Sequence, residues 1–158
     1  MIILGIDPGT AITGYGVIHV ENRNSIQCVS YGVIRTDKAL LAGERLVEIS
    51  DDIIKIIEKY KPAYVGIEQL FFANNTKTAM TVGQARGVIL AEIYRRHIPC
   101  KEFTPLQIKQ AMTGHGRATK NQIQEAVKLW LKLPTIPTPD DAADGLAIAL
   151  AVAHSINF

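Results

Sequence analysis

Four acidic positions in this chain stand where carboxylates do chemistry. Asp7 closes the apolar run IILGID and is followed by Pro8-Gly9, and Glu68 closes a second apolar run, Tyr64-Val65-Gly66-Ile67-Glu68. Asp141 and Asp144 open a third, almost wholly apolar stretch that reaches Ala153. Three of the four have an ordinary explanation when taken alone. Asp before Pro-Gly is good turn chemistry, and a Glu at a strand end is satisfied by one basic neighbour. Thr138-Pro139-Asp140-Asp141 reads as a helix start, with Thr138 as N-cap, Pro139 in the first helical position and acids in the first turn. Asp144 resists that treatment, because it is the one charged residue of Ala142–Ala153. A helix apolar on nearly every face is a buried helix, and a carboxylate there costs several kcal/mol, roughly, unless a cation or donors neutralise it. Asp141 and Asp144 are three apart and share a helix face.

Oxygen donors without His or Cys suit Mg²⁺ or Mn²⁺. Four carboxylates suffice for a two-ion site, the arrangement that activates water and stabilises the leaving oxygen in phosphodiester cleavage. Strand C-terminal ends are also where α/β sheets gather ligands. The residues thus point to metal-dependent phosphoryl transfer. The scattered His19, His97, His115 and His154 argue against zinc. Cys28 and Cys100 lie in strand-like runs and read as buried thiols of a cytoplasmic protein.

The elements that must position these groups follow from the pattern. Ile2–Asp7, Gly14–Val20 and Ile26–Thr36 form an antiparallel meander. Leu46, Ile49, Ile53, Ile56/Ile57 and Tyr60 make one apolar stripe, predicting a helix over about Leu40–Tyr60 that Pro62 ends. Tyr64–Glu68 is a strand, Thr76–His97 a helix and Cys100–Phe103 a fifth strand. Helices follow at Pro105–Met112, Thr119–Leu131 and Pro139–Ile156. The predicted fold is α/β, a five-stranded mixed sheet flanked by helices. At 158 residues, 47% of them hydrophobic, the chain is read as a single domain over 1–158. No apolar run reaches 18 residues, and the first residues lack the layout of a signal peptide, so no membrane is expected.

A net charge of +2 decides little, but its distribution is uneven. Residues 37–58 hold six acids against three bases, whereas 101–132 hold six bases against two acids, and 73–97 add Lys77, Arg86, Arg95 and Arg96 against Glu92. One side of the molecule is therefore a candidate polyanion surface. Ala79, Gly83, Gly87 and Ala91 recur every four residues, a smooth helix stripe that fits either close packing on the protein's own sheet or a helix–helix contact between copies.

Three blocks of the sequence, ILGIDPGTAITGYGVI (3–18), IEQLFFANN (67–75) and PDDAADGLAIALAVAH (139–154), together resemble the bacterial RuvC family of crossover junction endodeoxyribonucleases over essentially the whole chain. The resemblance implies a ribonuclease H-like fold and a cytoplasmic homodimer that nicks opposing strands of a four-way (Holliday) junction in recombination and repair, leaving 5′-phosphate and 3′-hydroxyl ends. It assigns the catalytic, metal-binding tetrad to Asp7, Glu68, Asp141 and Asp144, with Asp140 the alternative if the Asp-Ala-Ala-Asp register is displaced. It implies Mg²⁺, with Mn²⁺ as substitute and two ions per site. Phe71 matches a position that stacks on an unpaired base, and Lys109 and Lys120 match lysines near the scissile phosphate. Lys77, Arg86 and Arg117 are further candidates for DNA contact. The resemblance places the Ala79–Gly83–Gly87–Ala91 stripe in the dimer seam, and implies association with the RuvA–RuvB branch-migration complex. The alternative enzyme is a RuvX/YqgF-type ribonuclease H-like nuclease acting on RNA. An actin-like ATPase would need two domains, and a non-catalytic junction-binding module would not need Asp144.

Overall fold

The computed structural model describes residues 1–70 and 76–156, the side chains of Thr76 and Lys77 excepted. Five strands form one sheet: β1 (Ile2–Asp7), β2 (Ile12–Asn22), β3 (Ser25–Arg35), β4 (Tyr64–Glu68) and β5 (Cys100–Phe103). Their order is β3-β2-β1-β4-β5, antiparallel from β3 to β1 and parallel from β1 to β5. The meander and the mixed sheet are as read from the sequence. The helices are α1 (Ala42–Tyr60), α2 (Thr76–Arg95), α3 (Pro105–Thr113), α4 (Lys120–Trp130) and α5 (Asp140–Ser155). Among the described residues, no helix is long and apolar enough to cross a membrane.

The sheet separates two cores, as period-2 alternation requires. Leu4, Ile6, Val17, Val65 and Ile67 meet Ile49, Ile53 and Ile57 of α1 and Ala85, Ile89 and Ile93 of α2 on one face. On the other, Ile3 and Ile18 pack under α3, α4 and the apolar α5, whose residues from Ala142 to Ala153 are buried except Asp144. By the same alternation, Asp7 shares the α5 face with Ile3 and Gly5, and Glu68 shares it with Gly66.

Several boundaries depart from the sequence reading. Helix α1 starts at Ala42, where the Glu44 carboxylate accepts from the Leu41 amide at 2.7 Å. The second helix stops at Arg95, two residues early, and His97 is left-handed (φ 54°). At α5, Pro139 and not Thr138 is the N-cap: its carbonyl accepts from the Ala142 amide at 3.0 Å, making Asp140 the first helical residue. Asp141 is then a second-position acid near the positive helix end, with no Thr138 capping arrangement.

The small-residue stripe of α2 resolves into two parts. Ala79 and Gly83 are half-buried, while Gly87 and Ala91 are exposed, with no atom within 4 Å of a Cβ built on Gly87. The sheet is met instead by Ala85, Ile89 and Ile93.

Candidate active site

Three elements deliver the carboxylates to one place. The turn after β1 is fixed by Thr13, fully buried, whose hydroxyl donates to the Gly9 carbonyl at 2.7 Å and accepts from the Gly9 amide at 3.3 Å. Asp7 is thereby held at the strand end, opposite Gly14 on β2. β4 lies parallel to β1, which places Glu68 at the same edge of the sheet.

The third element comes close because the strands beneath it lack side chains. Gly16, Gly5 and Gly66 stand in register across β2, β1 and β4. A Cβ on Gly5 would lie 2.1 Å from the Gly145 carbonyl oxygen, and one on Gly16 would lie 2.5 Å from the Leu146 nitrogen. Gly145 answers from the helix side, where a Cβ would lie 2.5 Å from the Tyr15 carbonyl carbon. Helix α5 thus rests on bare backbone, and at its N-terminus Asp141 sits directly over Gly14, the partner of Asp7. These glycines are the functional residues that the sequence reading missed. Their signal was available, since glycine inside a strand marks close backbone approach.

The electrostatics of the cluster report how near the acids are. Asp7 is pushed up to about 8, first by burial and then by the charges of Glu68, Asp144 and Asp141. A hydrogen bond between the Asp7 and Glu68 side chains adds to the rise of Asp7. Burial also raises Glu68, with Asp144 adding to the rise while the Asp7 hydrogen bond and Lys109 oppose it. Asp144 is raised by burial against the pull of Lys120. Its side chain is one-third exposed (33%), so the fully buried carboxylate expected from the apolar helix is instead a half-buried one at the rim. Among the described residues no three acids, histidines or cysteines are spaced as a ready-made metal cage. The donor set nevertheless fits a hard divalent cation: it is all oxygen, and its members raise one another's affinity for positive charge.

A cleft of about 210 Å³ opens beside the acids, lined by Glu68, Asp144, Lys109, Lys120 and the apolar Ile108 and Ile123. Thr104 and Thr119 cap α3 and α4 by accepting from the Gln107 and Gln122 amides, which sets the two helix starts around the cleft. The Lys120 amine lies 3.1 Å from Asp140 and 3.6 Å from Asp144. Asp140 is exposed and also accepts from Gln124 at 3.1 Å. Asp140 thus holds Lys120 at the cleft mouth, and its charge adds to the rise of Asp144.

The other predicted contacts are dispersed. Arg117 is exposed between α3 and α4. Arg86 is largely covered, tied to the Glu68 carbonyl and to Glu102. Phe71 and the Lys77 side chain lie outside the described residues.

This sheet order, with an acidic cluster at the shared end of β1 and β4 and an apolar helix across it, defines a ribonuclease H-like nuclease domain. The sequence model of the RuvC crossover junction endodeoxyribonucleases matches residues 3–154. A crossover junction endodeoxyribonuclease RuvC from Heliobacterium modesticaldum is 49% identical over 158 residues, spanning 100% of this chain and 97% of that protein. Its counterpart from Desulforamulus reducens is 50% identical over 154 residues, covering 98% and 94%. Thermus thermophilus RuvC, solved in complex with Holliday junction substrate, superposes with a TM-score of 0.92 at 33% identity, over 98% of this chain and 94% of that one. The chain belongs to the RuvC family of crossover junction endodeoxyribonucleases.

Proposed function

We propose that the chain resolves four-way DNA junctions in recombination and repair: as a homodimer, it nicks two opposing strands symmetrically and leaves 5′-phosphate and 3′-hydroxyl ends. The observation that carries this reading is the convergence of Asp7, Glu68, Asp141 and Asp144 at one end of the sheet, beside a cleft edged by Lys109 and Lys120.

Asp7, Glu68, Asp141 and Asp144 would hold the metal, Mg²⁺ with Mn²⁺ as substitute. When bound, two such ions supply a water activated for in-line attack and offset charge on the leaving oxygen. The chain's own residues do the rest. Lys109 and Lys120 meet the backbone phosphate at the cleft, and Asp140 keeps Lys120 aimed there. Arg117 and Lys77 add phosphate contacts that give affinity without sequence choice. Phe71, directly after the Glu68 strand, stacks on a base at the crossover, an interaction worth roughly 1–3 kcal/mol. The protein works in the cytoplasm, alongside a RuvA–RuvB branch-migration complex.

The test is nicking of a labelled four-way junction against a linear duplex of the same sequence, in Mg²⁺ and in EDTA. Paired, symmetric cuts confined to the junction and to Mg²⁺ are expected. Binding without cutting, across several junction sequences and both metals, would reduce the protein to a junction-binding module. Cutting of structured RNA in preference to the junction would replace the DNA reading.

Helix α2 supports the dimer reading. Its outer face presents Gly87 and Ala91 between the exposed Met80 (70%) and Tyr94 (57%), a mostly apolar strip with a smooth centre that also carries Gln84. A two-fold pairing of such strips matches the symmetry of a four-way junction. Gly87→Arg adds a long charged side chain where the monomer has open space. The variant is expected to fold normally yet run at half the wild-type mass by light scattering, and to lose paired nicking. An unchanged mass would place the seam elsewhere.

A further inference from the structure

Arg86 lies on α2, next to Gly87, and its guanidinium points back toward the active site. Its Nε donates to the carbonyl oxygen of Glu68 at 3.1 Å, and another of its nitrogens pairs with the Glu102 carboxylate on β5. Only 17% of its side chain is exposed. The parallel ladder between β4 and β5 ends at this point, with Glu68 opposite Phe103, and the Gln69 amide donates to the Phe103 carbonyl at 2.8 Å. Among the described residues, this is the last backbone link between the two strands. A strand end of this kind fixes its last side chain only as well as its last peptide is held. A planar guanidinium that bridges two acceptors holds that peptide in a way one flexible ammonium does not.

We infer that Arg86 is a positioning residue for the catalytic carboxylate of Glu68, bracing the end of β4 against β5 and α2, and is not a phosphate contact. The inference rests on the reading of Glu68 as a member of the active site. Two observations support it together: Arg86 spends its contacts on the protein itself, and one of its partners is the backbone of the catalytic residue. Two of the Arg86 nitrogens are engaged and little of the side chain faces solvent, which leaves a phosphate poor access to the donors that remain. The brace also ties the site to α2, the helix proposed as the dimer seam.

The experiment compares wild type with Arg86→Met, Arg86→Lys and Glu102→Gln. Single-turnover cleavage is measured at saturating junction and Mg²⁺, and junction binding is measured in EDTA as a function of salt. Since a displacement of about 1 Å near the chemistry costs on the order of 10²-fold, the cleavage rate of Arg86→Met is expected to fall about 10- to 100-fold. The junction dissociation constant, the binding capacity and the salt slope should stay as in wild type. Arg86→Lys should fall between Met and wild type, and Glu102→Gln should slow cleavage about threefold with unchanged binding.

A weaker Kd with a salt slope lower by about one, at an unchanged maximal rate, would make Arg86 a phosphate contact and overturn the inference. So would wild-type rates and binding in all three variants. Should Arg86→Met not fold, Arg86→Lys and Glu102→Gln decide by the same readouts. Wild-type protein that leaves the junction uncut in Mg²⁺ would overturn the nuclease reading beneath the inference, a result distinct from an effect confined to the variants.

Discussion

Asp7→Asn is expected to stop junction cleavage, by roughly 10³-fold or more, while raising the melting temperature of the metal-free protein. The two effects share one cause. Asp7 stands among Glu68, Asp141 and Asp144 in a partly dehydrated site, and its proton is held up to about pH 8 by burial and by those charges. A neutral amide of nearly the same shape removes the repulsion and the desolvation together, along with an anionic oxygen that the chemistry requires.

The sign of the pH dependence is fixed by the direction of the shift. The folded pKa of Asp7 lies above the ordinary 3.8. Between those values the native state keeps a proton that the unfolded chain has lost, and stability falls as pH rises, by up to about 1.4 kcal/mol per pH unit. The proton is shared with Glu68 and the site is not fully closed, so the loss from pH 5 to pH 8 should total about 2–4 kcal/mol, or some 5–12 °C in a chain of this size. Calorimetry in EDTA at pH 5.5, 7 and 8.5 should therefore show wild type melting progressively lower, with Asp7→Asn nearly level. Added Mg²⁺ should raise the wild-type melting temperature most at the highest pH, where no proton has to be displaced. Parallel pH curves for the two proteins would mean that Asp7 titrates as an ordinary surface carboxylate.

Much of this site was legible in the sequence because strand ends and helix starts are local features. The run IILGID before Pro8-Gly9 marks where β1 ends, and Pro62 and Pro99 stand just before β4 and β5. Asp7 and Glu68 therefore had assignable positions before any tertiary contact was known. Asp144 was singled out for its isolation in an apolar helix, and it does reach the cluster, but as a rim residue partnered by Lys120. Periodicity does not report how far a helix extends past the sheet edge, and that extension decides its exposure. The N-cap was misplaced for a related reason. Thr138 has the better capping side chain, yet the backbone turns into the helix one residue later, at Pro139. Arg86 shows a further limit: charge density marks a basic segment, whereas the partners of a given arginine are set by which strand lies beneath it.

The depth of α5 over the sheet was the largest feature left unread, and Gly14→Ala tests what it does. A Cβ at residue 14 would lie 1.8 Å from the Asp141 carbonyl oxygen and 2.4 Å from its carbonyl carbon. Both are backbone atoms, so no side-chain rotation relieves the clash. Either β2 recedes at the residue that faces Asp7, or the first turn of α5 lifts and carries Asp141 and Asp144 away from Asp7 and Glu68. Each route separates carboxylates that must act together, and overpacking of this kind costs about 1–3 kcal/mol or more in stability. Cleavage is expected to fall at least 10²-fold, in line with about 1 Å of misplacement, in protein that remains folded at room temperature. Gly66→Ala is the informative contrast, because its Cβ would meet the Val152 and Ile148 γ2 methyls at 2.5 and 2.9 Å and the Ile148 carbonyl oxygen at 3.2 Å, all further along α5 than Asp141 and Asp144. It should lose comparable stability but less activity. Gly43→Ala, with nothing within 4 Å, should keep full activity and gain up to about 1 kcal/mol. Melting and single-turnover cleavage on the three variants separate the two effects. If Gly14→Ala loses activity only as Gly66→Ala does, the glycines serve packing alone. If it loses far more activity per degree of melting, the bare backbone beneath α5 is what brings the helix acids to the strand acids.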